Sequence, residues 1–134
     1  MVKYGEIAVK TTKRCEWIDI SGQVQSFVSQ SDISTGICTV NSLHTTAAIT
    51  LNENADPDVQ TDFFRKLAQI APIEPYFRHS EGNSDSHIKA SLVGLSVQIP
   101  VNHGSLVLGT WQSVYFCEFD GPRNRRVSIT LIGE

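Results

Sequence analysis

The sequence is poor in the features that narrow a protein's chemistry at first reading. It has only three cysteines, Cys15, Cys38 and Cys117, odd in number, far apart and in no C-x-x-C pair. This excludes a disulfide framework and a thiolate zinc knuckle, and leaves reduced, mostly buried thiols as the expectation. The N-terminus has no apolar run of signal-peptide length, and nowhere do about 18 apolar residues stand together as a spanning helix requires. A cytoplasmic protein with no membrane partner is expected. Positive charge is scarce as well, 11 Lys and Arg against 14 Asp and Glu giving a net charge of −3. Nucleic-acid binding needs broad positive potential along the phosphate backbone, so no nucleic-acid partner is expected, although a local basic patch is allowed. Low-complexity tracts and internal repeats are absent.

What is present is an ordinary globular composition, 40% hydrophobic and 19% charged over 134 residues. That length buries a core without staples and shows no domain boundary, so residues 1–134 are expected to form one domain.

The most informative stretch is Ser42 to Glu53, where a histidine, two hydroxyls, an amide and a carboxylate surround an apolar strand. Val40, Ala48, Ile49 and Leu51 suit a pleated, mostly buried surface, and β-branched Thr45, Thr46 and Thr50 fit the same conformation. His44 enters this strand and Glu53 leaves it. Titratable groups at the ends of a buried strand are held by a metal, an anion or each other. Taken alone, His44 also reads as a structural histidine bonded to a neighbouring strand.

Upstream, Tyr4 to Lys10 and Cys15 to Ile20 read as an antiparallel hairpin across Thr11-Thr12-Lys13-Arg14. Ser21 then caps a helix over about Gly22 to Gln30, with Val24, Phe27 and Val28 on one face. Ile37 to Val40 opens a strand pair with the His44 segment. Asp56-Pro57 begins a second helix, aspartate capping free amides and proline occupying the first turn. Its stripe of Val59, Phe63, Leu67 and Ile70 predicts one buried face, ended by Pro72 and Pro75. The polar segment Tyr76 to His87 holds two histidines, with Asn83, Ser84 and Asp85 as N-cap candidates for a short helix that Gly94 ends. His87 falls in its first turn, where free amides and the helix dipole favour an anion. From Leu95 onward the pattern predicts an antiparallel meander: Leu95 to Val101, a turn at Asn102-His103-Gly104, Leu106 to Leu108, Trp111 to Phe119 and Arg126 to Ile132. Asp120 to Arg126 is a polar turn with three arginines, suited to phosphate or carboxylate and equally to solvated surface.

His44, His79 and His87 occupy a strand rim, a polar loop and a helix start, places that bring ligands to one cavity. Three neutral imidazoles can hold zinc with a fourth position open. No H-E-x-x-H or H-x-H pattern fixes two of them on one element, however. The rival reading is a phosphate pocket of imidazoles, Thr hydroxyls, helix amides and arginines.

Five blocks, in order, carry a resemblance: His44-Thr45-Thr46-Ala47-Ala48, Asn52 to Pro57, Asn83 to Ala90, Gly104 to Gln112 and Glu118 to Arg123. Together they closely resemble the YjbQ family, also called uncharacterised protein family 0047. The family's N-A-D-A-H stands here as Asn83-Ser84-Asp85-Ser86-His87, while His103 matches no family histidine and is read as a turn residue.

The resemblance implies an α+β fold with an antiparallel β-sandwich-like core and two to three covering helices, assembled as a homotrimer. It also implies a pocket at His44, His79 and His87 that holds a divalent metal, zinc or alternatively magnesium, or an anion. Members are often labelled secondary thiamine-phosphate synthases, which implies transfer of a pyrimidinylmethyl group to a thiazole nitrogen of a small phosphorylated metabolite. On that reading Arg123, Arg126 and the amides near Asp85 to His87 hold phosphate. Glu53 and Asp85 orient imidazoles or act as bases, as does His87 at the reacting centre, and Thr45, Thr46, Asn52, Asn83 and Gln112 supply neutral hydrogen bonds. A metal-dependent hydrolase and a non-catalytic trimer binding a phosphorylated metabolite are the alternatives.

Overall fold

Strand pairing alternates between two layers. The computed structural model describes residues 1–134. Strand β1 (Val2–Lys10) pairs with β8 (Asn124–Gly133), β8 with β3 (Gly36–Ser42), and β3 with β5 (Ser96–Asn102), which carries the short β6 (Ser105–Leu106). The second sheet holds β2 (Glu16–Asp19), β7 (Gln112–Glu118) and β4 (Ala47–Glu53), in that order. All pairings are antiparallel.

This is the expected α+β sandwich, but its connectivity differs from the hairpins read in the sequence. β1 and β2 form no hairpin, β3 and β4 are not a hydrogen-bonded pair, and β7 and β8 are not neighbours in a meander. The cause is visible in burial. Strand β7 is buried from Ser113 to Glu118, so its sheet needs cover on both faces. One face, with Ala47, Ile49, Val114 and Phe116, packs against Cys38, Val40, Ile129 and Leu131 of the five-stranded sheet. The other, with Trp17, Ala48, Tyr115, Cys117 and Phe119, is covered by Leu67, Ala90 and their neighbours on two helices. Successive strands therefore cross the core instead of folding back beside each other.

Three helices complete the layers: α1 (Ser21–Ser29), α2 (Pro57–Ile70) and α3 (Ser84–Val93). Val24 and Val28 of α1 join the inter-sheet core. Ser21 does not cap this helix; its hydroxyl accepts a bond from the Val114 amide at 2.8 Å, and Ile20 is the capping residue. Asp56 does cap α2, accepting from the Asp58 amide at 2.9 Å. Leu67 is buried as the stripe predicts, whereas Ile70 is 60% exposed. The 14-residue α2, about 21 Å long, outruns the four-residue edge strand β2 at about 13 Å. His103 and Gly104 form the β5–β6 turn, both in the left-handed region at φ 51° and 72°. No helix is long and apolar enough to cross a membrane.

Candidate functional site

Two crossings between the sheets and the segment leading into α3 meet at the N-terminal end of β4 and line a polar cavity of about 390 Å³. The β3–β4 crossing contributes His44, Thr45 and Thr46; the segment opening α3 contributes His79, Glu81, Asn83 and His87; the β7–β8 turn contributes Asp120, Arg123 and Arg125.

A buried ion pair forms the floor. Arg125 donates through Nε to Glu118 Oε1 at 2.8 Å and through a terminal nitrogen to Glu118 Oε2. The same terminal nitrogen donates to Thr46 Oγ1 at 2.8 Å. Glu118 further accepts from Thr11 Oγ1 at 2.7 Å and from the amides of Phe119 and Asp120, both at 3.1 Å. Its charge is thus fully hydrogen-bonded, the condition on which a carboxylate tolerates complete burial. The turn above it needs Gly121, because a β-carbon there would lie 2.2 Å from the Lys13 carbonyl oxygen.

His44 is held by the backbone. Its Nε2 accepts from the Arg126 amide at 2.8 Å, which places the ring proton on Nδ1. Burial, and then the nearby charge of Arg125, push its pKa down, so the ring is a neutral Nδ1–H donor. His79 and His87 meet edge to face, with ring centroids 5.3 Å apart and planes at 83°. No group of three His, Cys, Asp or Glu side chains is arranged to hold a metal ion. With the Nε2 lone pair of His44 already engaged and Nδ1 protonated, the residues do not fit a three-histidine metal centre, one of the two occupants the sequence left open for this pocket.

Arg123 rests on Asp120, donating to its carbonyl at 2.8 Å and to Oδ2 at 2.9 Å. Asn83 Nδ2 donates to the same Oδ2 at 2.7 Å. Burial raises the pKa of Asp120, but these bonds from Asn83 and Arg123 outweigh it and hold the group below its ordinary value.

The cavity therefore brings together His44, Thr45, Thr46, His79, Asn83, His87 and Arg123 of the residues expected in the site. The others lie elsewhere. Asp85 is buried beside the cavity, bonded to Lys89 at 2.8 Å and to Arg14 at 3.2 Å, and it ties α3 to the β1–β2 turn. Arg126 turns its side chain outward to Glu6 at 3.0 Å and offers the site only its amide. Glu53 stands at the far end of β4, roughly 20 Å along the strand, and lines a separate cavity of about 270 Å³. Asn52 Oδ1 accepts from the Glu53 amide and Gln112 Oε1 from the Gly109 amide, both at 2.8 Å, at that same remote end.

Sequence reasoning missed Glu81, Asp120 and Arg125. Arg125 had a signal: Leu131, Ile129 and Val127 alternate inward on β8, and one more step of two reaches Arg125, not Arg126. Starting the strand at Arg126 hid it. Glu81 and Asp120 had none, since loop carboxylates are ordinary in sequence.

Comparison with known proteins places this geometry. The family described as UPF0047 protein YjbQ-like matches residues 5–134. The UPF0047 protein YugU of Bacillus subtilis is 48% identical over 95% of this chain and 97% of its own length. A UPF0047 protein of Methanocaldococcus jannaschii is also 48% identical, over 94% of this chain and 91% of its own. Among solved structures, a protein of unknown function from Sulfolobus solfataricus superposes with a TM-score of 0.95 at 34% identity, covering 100% of this chain and 99% of its own. A YjbQ/UPF0047 family protein from Clostridium acetobutylicum gives 0.92 at 49% identity, covering 95% and 98%.

Proposed function

Because this chain belongs to the YjbQ-like UPF0047 family, which fixes its fold but not its chemistry, we propose that the His44 cavity binds the phosphate of a small metabolite. The observation that carries this reading is the locked Nδ1–H of His44 beside Arg125. A neutral donor and a fixed guanidinium suit an oxyanion, and the hydroxyls of Thr45 and Thr46 add further donors. Arg123 becomes a second cation once it leaves Asp120.

The reaction to assay is the synthase-like one. The carbon–oxygen bond of a pyrimidinylmethyl pyrophosphate breaks, pyrophosphate leaves with the electron pair, and the thiazole nitrogen lone pair forms the new carbon–nitrogen bond. No proton is removed from that nitrogen, so no carboxylate base is needed. The demand falls on groups that stabilise the leaving pyrophosphate, here Arg125 and Arg123. A hydrolytic route through a three-histidine metal has no donor set in this arrangement, and no step is derived through it.

The proposal includes a homotrimer. Val2, Ile132, Ile37 and Pro100 stand in register across four strands on the uncovered face of the large sheet, all exposed. Such a row supports self-association, and sedimentation analysis reads the copy number.

Calorimetric titration with inorganic phosphate tests the binding reading, with His44→Gln alongside and elemental analysis of untagged protein. Saturable binding weakened in the variant is expected. One equivalent of metal lost on His44→Ala, with no phosphate binding, would overturn the reading. Binding of phosphate esters with no turnover of pyrimidine pyrophosphate and thiazole phosphate would make the protein a binder and not a synthase.

A further inference from the structure

The cavity has a second kind of wall. Glu81, Asn83 and Asp120 line it together, and they are joined through one amide: Asn83 Nδ2 donates to Asp120 Oδ2 at 2.7 Å and to Glu81 Oε2 at 3.4 Å. These two bonds fix which way the amide points. Asn83 is only 6% exposed, and its Oδ1 is the one buried side-chain polar atom in the molecule without a hydrogen-bond partner. A buried acceptor with no donor is costly and rare in a folded protein. Asp120 spends only Oδ2 on its side-chain bonds to Asn83 and Arg123, which leaves Oδ1 open to a ligand. The wall is thus rich in acceptors and carries two carboxylates. A bare phosphate does not explain it, since these oxygens would repel it.

The other wall, from His44 to Thr46 with Arg125, offers donors. We propose that the ligand is bipolar: a phosphate ester that also bears a protonated amine, its phosphate on the donor wall and its ammonium on the carboxylates of Glu81 and Asp120, which the Asn83 amide holds together. This rests on the phosphate reading above and narrows its substrate class. The ammonium would donate to the free Oδ1 of Asp120 and to the Glu81 carboxylate. It would also compete with Arg123 for Asp120, which frees that guanidinium to close on the phosphate. Recognition of the two ends is therefore coupled through Asp120.

The test compares O-phosphoethanolamine with propyl phosphate, which replaces the ammonium by a methyl group at the same length, by calorimetry on the full chain at neutral pH. Binding of the amino ester at least about 10-fold tighter is expected, corresponding to about 1.4 kcal/mol. Glu81→Gln, at an exposed position, should reduce the preference to about 3-fold or less, chiefly through weaker binding of the amino ester. Glu53→Gln, in the separate acidic cavity, should leave the preference whole. Equal binding of the two esters by the wild type overturns the bipolar assignment and leaves the phosphate reading standing. A preference that survives both Glu81→Gln and Asp120→Asn overturns the placement of the amine. Failure of both esters and of inorganic phosphate to bind ends the phosphate reading itself.

Discussion

Strand β4 ends in two cavities of opposite character. At its start, His44, Thr46 and Arg125 present donors above a buried Arg125–Glu118 pair. At its end, Glu53, Asp19 and Asp56 surround Trp17 and Tyr115, whose rings stack at 4.4 Å and 16°. Both ends carry titratable groups, yet only the first has cations locked in place. The difference lies in what crosses the strand there. The β1–β2 and β7–β8 connections and the first residues of β8 converge on the start of β4, and their amides and side chains satisfy Glu118 and His44. The far end meets the N-terminus of α2, where Asp56 is spent on capping.

The comparison is broken most severely at Arg125. Arg125→Leu leaves Glu118 buried without its cation and should cost about 4 kcal/mol in urea or guanidinium denaturation, with phosphate binding abolished. Asp85→Ala comes next, at about 3 kcal/mol, because Lys89 then stays buried unpaired. Burial raises the Asp85 pKa, but bonds from Lys89 and Arg14 outweigh it and keep it below 3.8. Its contribution is therefore complete above that value and fades as pH falls through the depressed one, and acid denaturation of Asp85→Asn should lack that component.

His44→Gln sharpens the comparison through binding: phosphate affinity should drop about 10-fold in calorimetry, the loss of one hydrogen bond to a charged group. It also carries a pH signature. The folded protein holds the His44 pKa below 6.5 while the unfolded chain does not, so protons favour unfolding and stability falls as pH drops below about 6.5. That slope should flatten in His44→Gln, measured by denaturation midpoints between pH 7 and 5. The smallest effect is expected at Glu53→Gln, within about 0.5 kcal/mol in stability and without change in phosphate binding. A loss there equal to that of His44→Gln would join the two ends into one site and remove the distinction drawn above.

Much of this was legible locally. The Asp56-Pro57 start of α2, the left-handed turn at His103-Gly104 and the end of α3 at Gly94, with φ 102°, follow from residues next to one another. The family blocks also carried His44, His87 and Arg123, which the structure brings into one cavity with His79. The roles given to Asp85, Arg126, Glu53, Asn52 and Gln112 were read from polarity and order along the chain, and polarity does not say which cavity a group faces.

The sequence by itself determined where α2 begins, which strand faces are apolar, and which family motifs are present, because capping, turn geometry and alternation depend on near neighbours. Tertiary structure alone decided that β1 and β2, β3 and β4, and β7 and β8 lie in different sheets, that Arg125 faces inward while Arg126 faces out to Glu6, and that His44 is locked as a donor. The bond that fixes His44 joins residues 82 positions apart. It exists because β3 pairs antiparallel with β8, Ser42 opposite Val127, so that the chain leaving β3 runs on beside Arg126.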